Sequence, residues 1–115
     1  MAVTAHASGT QAAVSSTEHF LTSPNVAGTF TLHVDTVNMA AGDTLELRAY
    51  QMVLTAGTSR VAYYVIYAGA QPADDVIKIS VPISNELTDT NALRFSLRQT
   101  TGTGRSYQWK ALRYQ

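Results

Sequence analysis

No cysteine occurs among the 115 residues, and that single absence removes disulfide staples, thiolate metal ligation and a cysteine nucleophile together. Charged residues are scarce at 14%, with eight acids balanced by eight bases, so the chain has no overall field with which to hold nucleic acid. No apolar run approaches the ~18 residues of a membrane span, and the start MAVTAHASGT lacks the basic segment and apolar core of a secretion signal. A protein made in a cytoplasm, with no membrane partner, is the expectation. Helical periodicity is missing too, and only residues 84–92 admit a turn of helix.

What the sequence has instead is alternation. Residues 1–13, MAVTAHASGTQAA, are small and mostly polar with no period that would hold them on a core, and they read as a flexible or extended N-terminal arm. Residues 14–115 read as one domain. Polar and apolar side chains alternate through 29–35, 43–48 and 93–98, as strands with one buried face require. In the last of these Leu93, Phe95 and Leu97 face the core, while Arg94, Ser96 and Arg98 face solvent. RVAYYVIYAGA, from Arg60, is dense in valine, isoleucine and tyrosine and fits a central strand covered on both faces. Residues 76–83 place Ile77, Ile79, Val81 and Ile83 on one face, with Pro82 marking an edge strand or the end of its pairing. Seven or eight strands at short spacing predict an all-β fold, an antiparallel β-sandwich or barrel.

The segment TTGTGRS, residues 100–106, has the glycines and the basic residue of a phosphate loop, but such a loop needs a helix after it. Here an alternating run follows, so the segment reads as a hairpin bend between two strands. In the last strand Tyr107, Trp109, Ala111 and Arg113 share one face, and Gln108, Lys110, Leu112 and Tyr114 the other. His6, His19 and His33 have no metal-ligand spacing, Asp74-Asp75 lacks the further oxygens of a calcium loop, and no nucleophile signature is present. No enzyme activity, metal or cofactor is expected. The tyrosines and Trp109 suit either a stacking platform for sugars or a core with a tyrosine rim, the commoner arrangement.

The zero net charge conceals an asymmetry. Residues 1–89 hold all eight acids against Arg48, Arg60 and Lys78, whereas residues 90–115 hold Arg94, Arg98, Arg105, Lys110 and Arg113 with no acid. A final hairpin would gather Arg94 and Arg98 near Lys110 or Arg113 on an outer face, a basic patch suited to an acidic protein surface.

The phrases EHFLTSPNVAGTFTLHVDTVNMAAGDTLELRAYQMVL, YAGAQPADD and ALRFSLRQTTGTGRSYQW resemble small virion proteins of tailed bacteriophages and prophages. The nearest likeness is to the β-sandwich or jelly-roll cement (decoration) proteins of phage heads. That resemblance implies a non-enzymatic structural protein, synthesised in the bacterial host cytoplasm and carried on the capsid surface of the virion. Its partners would be the major capsid protein lattice and its own copies, as a homo-dimer or homo-trimer. A carbohydrate-binding module, or a tail, neck or fibre component, is the alternative. The likeness carries no individual contact residues. The charge pattern and the arm supply the candidates instead: Arg94, Arg98, Arg105, Lys110 and Arg113, with Ala2, Val3, Thr4 and His6.

Overall fold

The computed structural model describes residues 2–115, and nine strands form in them with no helix: β1 (Val3–Ala12), β2 (Glu18–Thr22), β3 (Gly28–Asp35), β4 (Thr44–Gln51), β5 (Arg60–Ala68), β6 (Ile77–Ile79), β7 (Ile83–Asn85), β8 (Leu93–Thr101) and β9 (Ser106–Tyr114). They make two antiparallel sheets. One runs β1-β9-β3-β6, with β7 also on β3, and the other runs β2-β8-β4-β5. The sheets stack as a β-sandwich.

The alternating runs deliver their apolar side chains inward as their period requires. Phe30, Leu32 and Val34 of β3 meet Leu45, Leu47 and Ala49 of β4, Leu93, Phe95 and Leu97 of β8, and Tyr107 and Ala111 of β9. Burying each large side chain of this set is worth roughly 1.5–3 kcal/mol, and the set spans both sheets, so it is what holds them together.

Residues 1–13, expected as a flexible or extended arm, are extended from Val3 to Ala12 and integrated as edge strand β1. The pairing with β9 runs from Val3–Tyr114 to Ala12–Ser106. Backbone groups alone hold a ladder together, so small polar side chains did not reveal it. Strand β1, together with a break at Pro82 that separates β6 from β7, raises the count above the seven or eight expected.

Four local expectations are corrected. TTGTGRS is not a hairpin: β8 and β9 lie in different sheets, and the segment is the corner between them. Indeed β4 and β5 are the only consecutive pair hydrogen-bonded to each other. RVAYYVIYA is not central; β5 is one of the two edges of its sheet. In β6 the faces are reversed, with Lys78 buried and Ile77 and Ile79 about half exposed, as is Val81 beyond them. The Lys78 stem passes between the sheets, its ammonium 3.2 Å from Asp75 and 4.9 Å from the centre of the Tyr67 ring. Residues 84–92 form no helical turn; the Asn85 side chain pins that loop through Val26 and Leu87.

The corner has its own bonding. Gln99, fully buried, donates to the carbonyls of Thr101 and Thr103 and accepts from the Arg105 amide and the Tyr107 hydroxyl. Asp43 is also buried, and its carboxylate accepts from Arg105 Nε at 2.8 Å and the Ala40 amide at 2.9 Å. Burial beside Asp43 pushes the Tyr107 phenol up to about 12.

Candidate docking face

The outer face of the β2-β8-β4-β5 sheet carries the densest set of polar groups. Side chains of one parity in each strand point there: Glu18 and Phe20 from β2, Arg94, Ser96 and Arg98 from β8, Glu46, Arg48 and Tyr50 from β4, Tyr64 and Ile66 from β5. Register brings them into rows. Arg98 lies opposite Glu18 on one side and Glu46 on the other, and Ser96 lies between Phe20 and Arg48.

Glu18 is the hub. Its Oε2 accepts from the Tyr50 hydroxyl at 2.6 Å and the Ser96 hydroxyl at 2.6 Å, with Arg48 3.9 Å away. Arg48 also pairs with Glu46 at 2.9 Å, whose other oxygen accepts from the Tyr64 hydroxyl at 2.8 Å. Burial pushes the Glu18 carboxyl upward, but the Ser96 and Tyr50 hydrogen bonds and the charges of Arg48 and Arg94 outweigh it, leaving the group below its ordinary value. Burial, then the bond to Glu18, pushes the Tyr50 phenol the other way.

Arg94 and Arg48 lie over aromatic rings. Arg94 lies 4.2 Å from the Phe20 ring centre and 5.1 Å from that of Tyr50, and Arg48 lies 4.7 Å from that of Tyr64. Such packing fixes guanidinium groups at little further entropic cost. The Nε atoms of Arg94 and Arg98 are buried and have no partner among the described residues. The half-buried Arg94 and Arg98 side chains thus lie beside occupied carboxylates, and guanidinium groups are suited to recognising carboxylate and carbonyl groups.

The other sequence candidates lie elsewhere. Arg105 is consumed by Asp43 at the corner. Arg113 donates to the Ala27 carbonyl at 3.0 and 2.6 Å. Lys110 sits on the opposite outer face, where burial and the Lys110 charge push the His33 imidazole down. Ala2 is bound to Gln115 through both backbone groups, and Val3 and Thr4 pair with Tyr114 and Arg113. His6 stacks edge-on against Phe30 at 5.4 Å. The basic tail is thus divided among both outer faces, the corner and the 27–28 bend, because β8 and β9 belong to different sheets.

Sequence reasoning missed Glu18, Glu46 and Arg48, and offered Tyr50 and Tyr64 only among the tyrosines of a stacking platform or core rim. The matching parity of polar residues in 46–50 and 94–98 was the available signal, and strand adjacency was the lacking one. On the opposite outer face Ser8, His33, Asp35, Ile77, Gln108 and Lys110 line an open depression of about 390 Å³. Among the described residues, no three His, Asp or Glu side chains converge to hold a metal ion. Comparison with protein-family models, with curated proteins and with solved structures finds no match to this chain.

Proposed function

We propose that this chain is a non-enzymatic structural protein of a bacteriophage particle, a cement protein that docks on the outside of the head and bridges major capsid subunits. The observation that carries the reading is the arginine array on the β2-β8-β4-β5 face, where the half-buried Arg94 and Arg98 form no ion pair among the described residues. A repeating acidic shell surface would meet many such faces at once, so that weak individual contacts add up over the lattice. The jelly-roll reading is supported by the strand order, since every connection except β4–β5 and β6–β7 crosses between the sheets.

The carbohydrate-binding alternative has less support. Trp109 points inward, with its indole against Gly9, and Phe20, Tyr50 and Tyr64 already carry guanidinium groups against their rings. A tail, neck or fibre position would use the same face on a different lattice.

The test mixes the purified protein with capsids that lack it. Saturable binding and raised resistance to heat or chelator are expected, with affinity falling as salt rises and at least tenfold in Arg94→Ala/Arg98→Ala. Absence of binding, or binding indifferent to both substitutions, overturns the proposal.

A further inference from the structure

The sandwich has four sheet edges, and three of them are guarded. Strand β1 is long but built of small and hydroxyl side chains, with a bulge at His6. Strand β2 has five residues, a bulge at Leu21 and Glu18 at its start. The β6–β7 edge is broken into two three-residue pieces by Pro82, and Lys78 points inward from it. Short strands, bulges, proline and inward charge are the devices by which sheets avoid pairing with other chains.

Strand β5 differs. It runs nine residues, and from Val61 to Ala68 it holds no charge and no proline, only alanine, valine, isoleucine and tyrosine. A bulge at Ala62 is confined to its first turn of pairing, leaving 63–68 regular. On its outward side Val61, Tyr64 and Ile66 are 50%, 46% and 52% exposed. Its composition is that of a strand covered by neighbours on both sides, yet only β4 pairs with it.

We infer that β5 pairs antiparallel with β5 of a second copy of this chain, so that one sheet continues through a two-fold dimer. Self-complementarity identifies the occupant. A two-fold axis reverses the second strand, so Arg60 at the start of one β5 comes to the end of the other, where the following loop carries Asp74 and Asp75. Arg60 and Asp74 are both exposed, and neither forms an ion pair among the described residues. Reversal satisfies this pair at both ends of the joint and sets no like charges opposite each other. Near the axis, Tyr64 and Ile66 face one another as an aromatic and β-branched pair, a favourable cross-strand combination. A strand of another protein would complete the ladder, but the doubled Arg60–Asp74 match belongs to a reversed copy. The inference stands on β5 alone and is independent of what the arginine face binds.

Sedimentation equilibrium of the full chain is expected to give twice the monomer mass. Ile66→Lys, whose side chain points away from the core, gives a monomer with unchanged circular dichroism. Arg60→Asp weakens the dimer at least tenfold, and adding Asp74→Arg restores it. Because the chain has no cysteine, Tyr64→Cys, Val65→Cys and Ile66→Cys read the axis directly: the position nearest it forms a disulfide-linked dimer on oxidation. A wild-type protein that stays monomeric at the highest concentration reached overturns the inference. So does a dimer in which none of the three cysteines cross-links. Should Ile66→Lys unfold, the charge swap and the cysteines decide.

Discussion

Two regions of the molecule bring arginine and carboxylate together, and they use the pair in opposite ways. At the β8–β9 corner, Arg105 closes over Asp43, which is 1% exposed, and the Gln99 amide donates to two backbone carbonyls. On the β2-β8-β4-β5 face, Glu18 and Glu46 are engaged while Arg94 and Arg98 form no ion pair among the described residues. The corner spends its charge on the fold; the face presents it. All three arginines come from one run of basic sequence, so a charge run in a chain becomes a patch only where consecutive strands share a sheet.

Removing the carboxylate at the corner is expected to have the largest effect on stability. Asp43→Ala strands Arg105 Nε and the Ala40 amide at a buried site, at a cost of about 3 kcal/mol in urea unfolding. Acid provides the same test without mutation. Burial pushes the Asp43 carboxyl up, but the Arg105 and Ala40 bonds hold it below its ordinary value of 3.8. A carboxyl held lower in the folded than in the unfolded state stabilises fully above its unfolded value and loses that contribution as pH falls through its folded value. The wild type should therefore lose stability as the pH falls below about 4, with a shallower loss in Asp43→Ala. Parallel pH profiles for the two proteins would remove Asp43 from its role at the corner.

Gly102→Ala attacks the same corner from the other side. Gly102 has φ of +85°, and a Cβ there would run into the Asp43 carboxylate. The combined clash and backbone strain are expected to cost roughly 2 kcal/mol. If the Asp43 carboxylate is what the methyl strikes, Gly102→Ala costs less in an Asp43→Ala background. Additive costs would break that coupling.

The contrast also marks what was legible in the sequence. Inward residues of β3, β4 and β8 follow from parity alone, because alternation is a local property and one face of each strand is buried. The place of each strand in a sheet is not local. TTGTGRS supplies the same glycine chemistry to a hairpin and to a corner, and the choice depends on β9 finding β1 and β3 rather than β8. The strand β1 was hidden because a ladder requires only backbone. Lys78 misled through its length, since a long stem buries while its ammonium reaches Asp75, and that turned the isoleucines of β6 outward. The arginine face was half legible: Arg94 and Arg98 were identified as solvent-facing, but their neighbours on β2 and β4 are distant in sequence.

The smallest change in stability is expected on the face, and it separates the two regions most sharply. Arg98 lies in register between Glu18 and Glu46, yet it makes no ion pair within 4.0 Å among the described residues, and its Nε is unpartnered. No ion pair among the described residues depends on its charge, so Arg98→Ala should shift unfolding by no more than about 0.5 kcal/mol. Glu18→Gln should cost about 1 kcal/mol, because Tyr50 and Ser96 both lose a charged acceptor while keeping a neutral one. If Arg98 serves a partner, its removal weakens docking while the unfolding curve stays in place. If Arg98 instead screens the two glutamates from each other, its removal destabilises the fold by as much as Glu18→Gln, and the face becomes a second structural device like the corner.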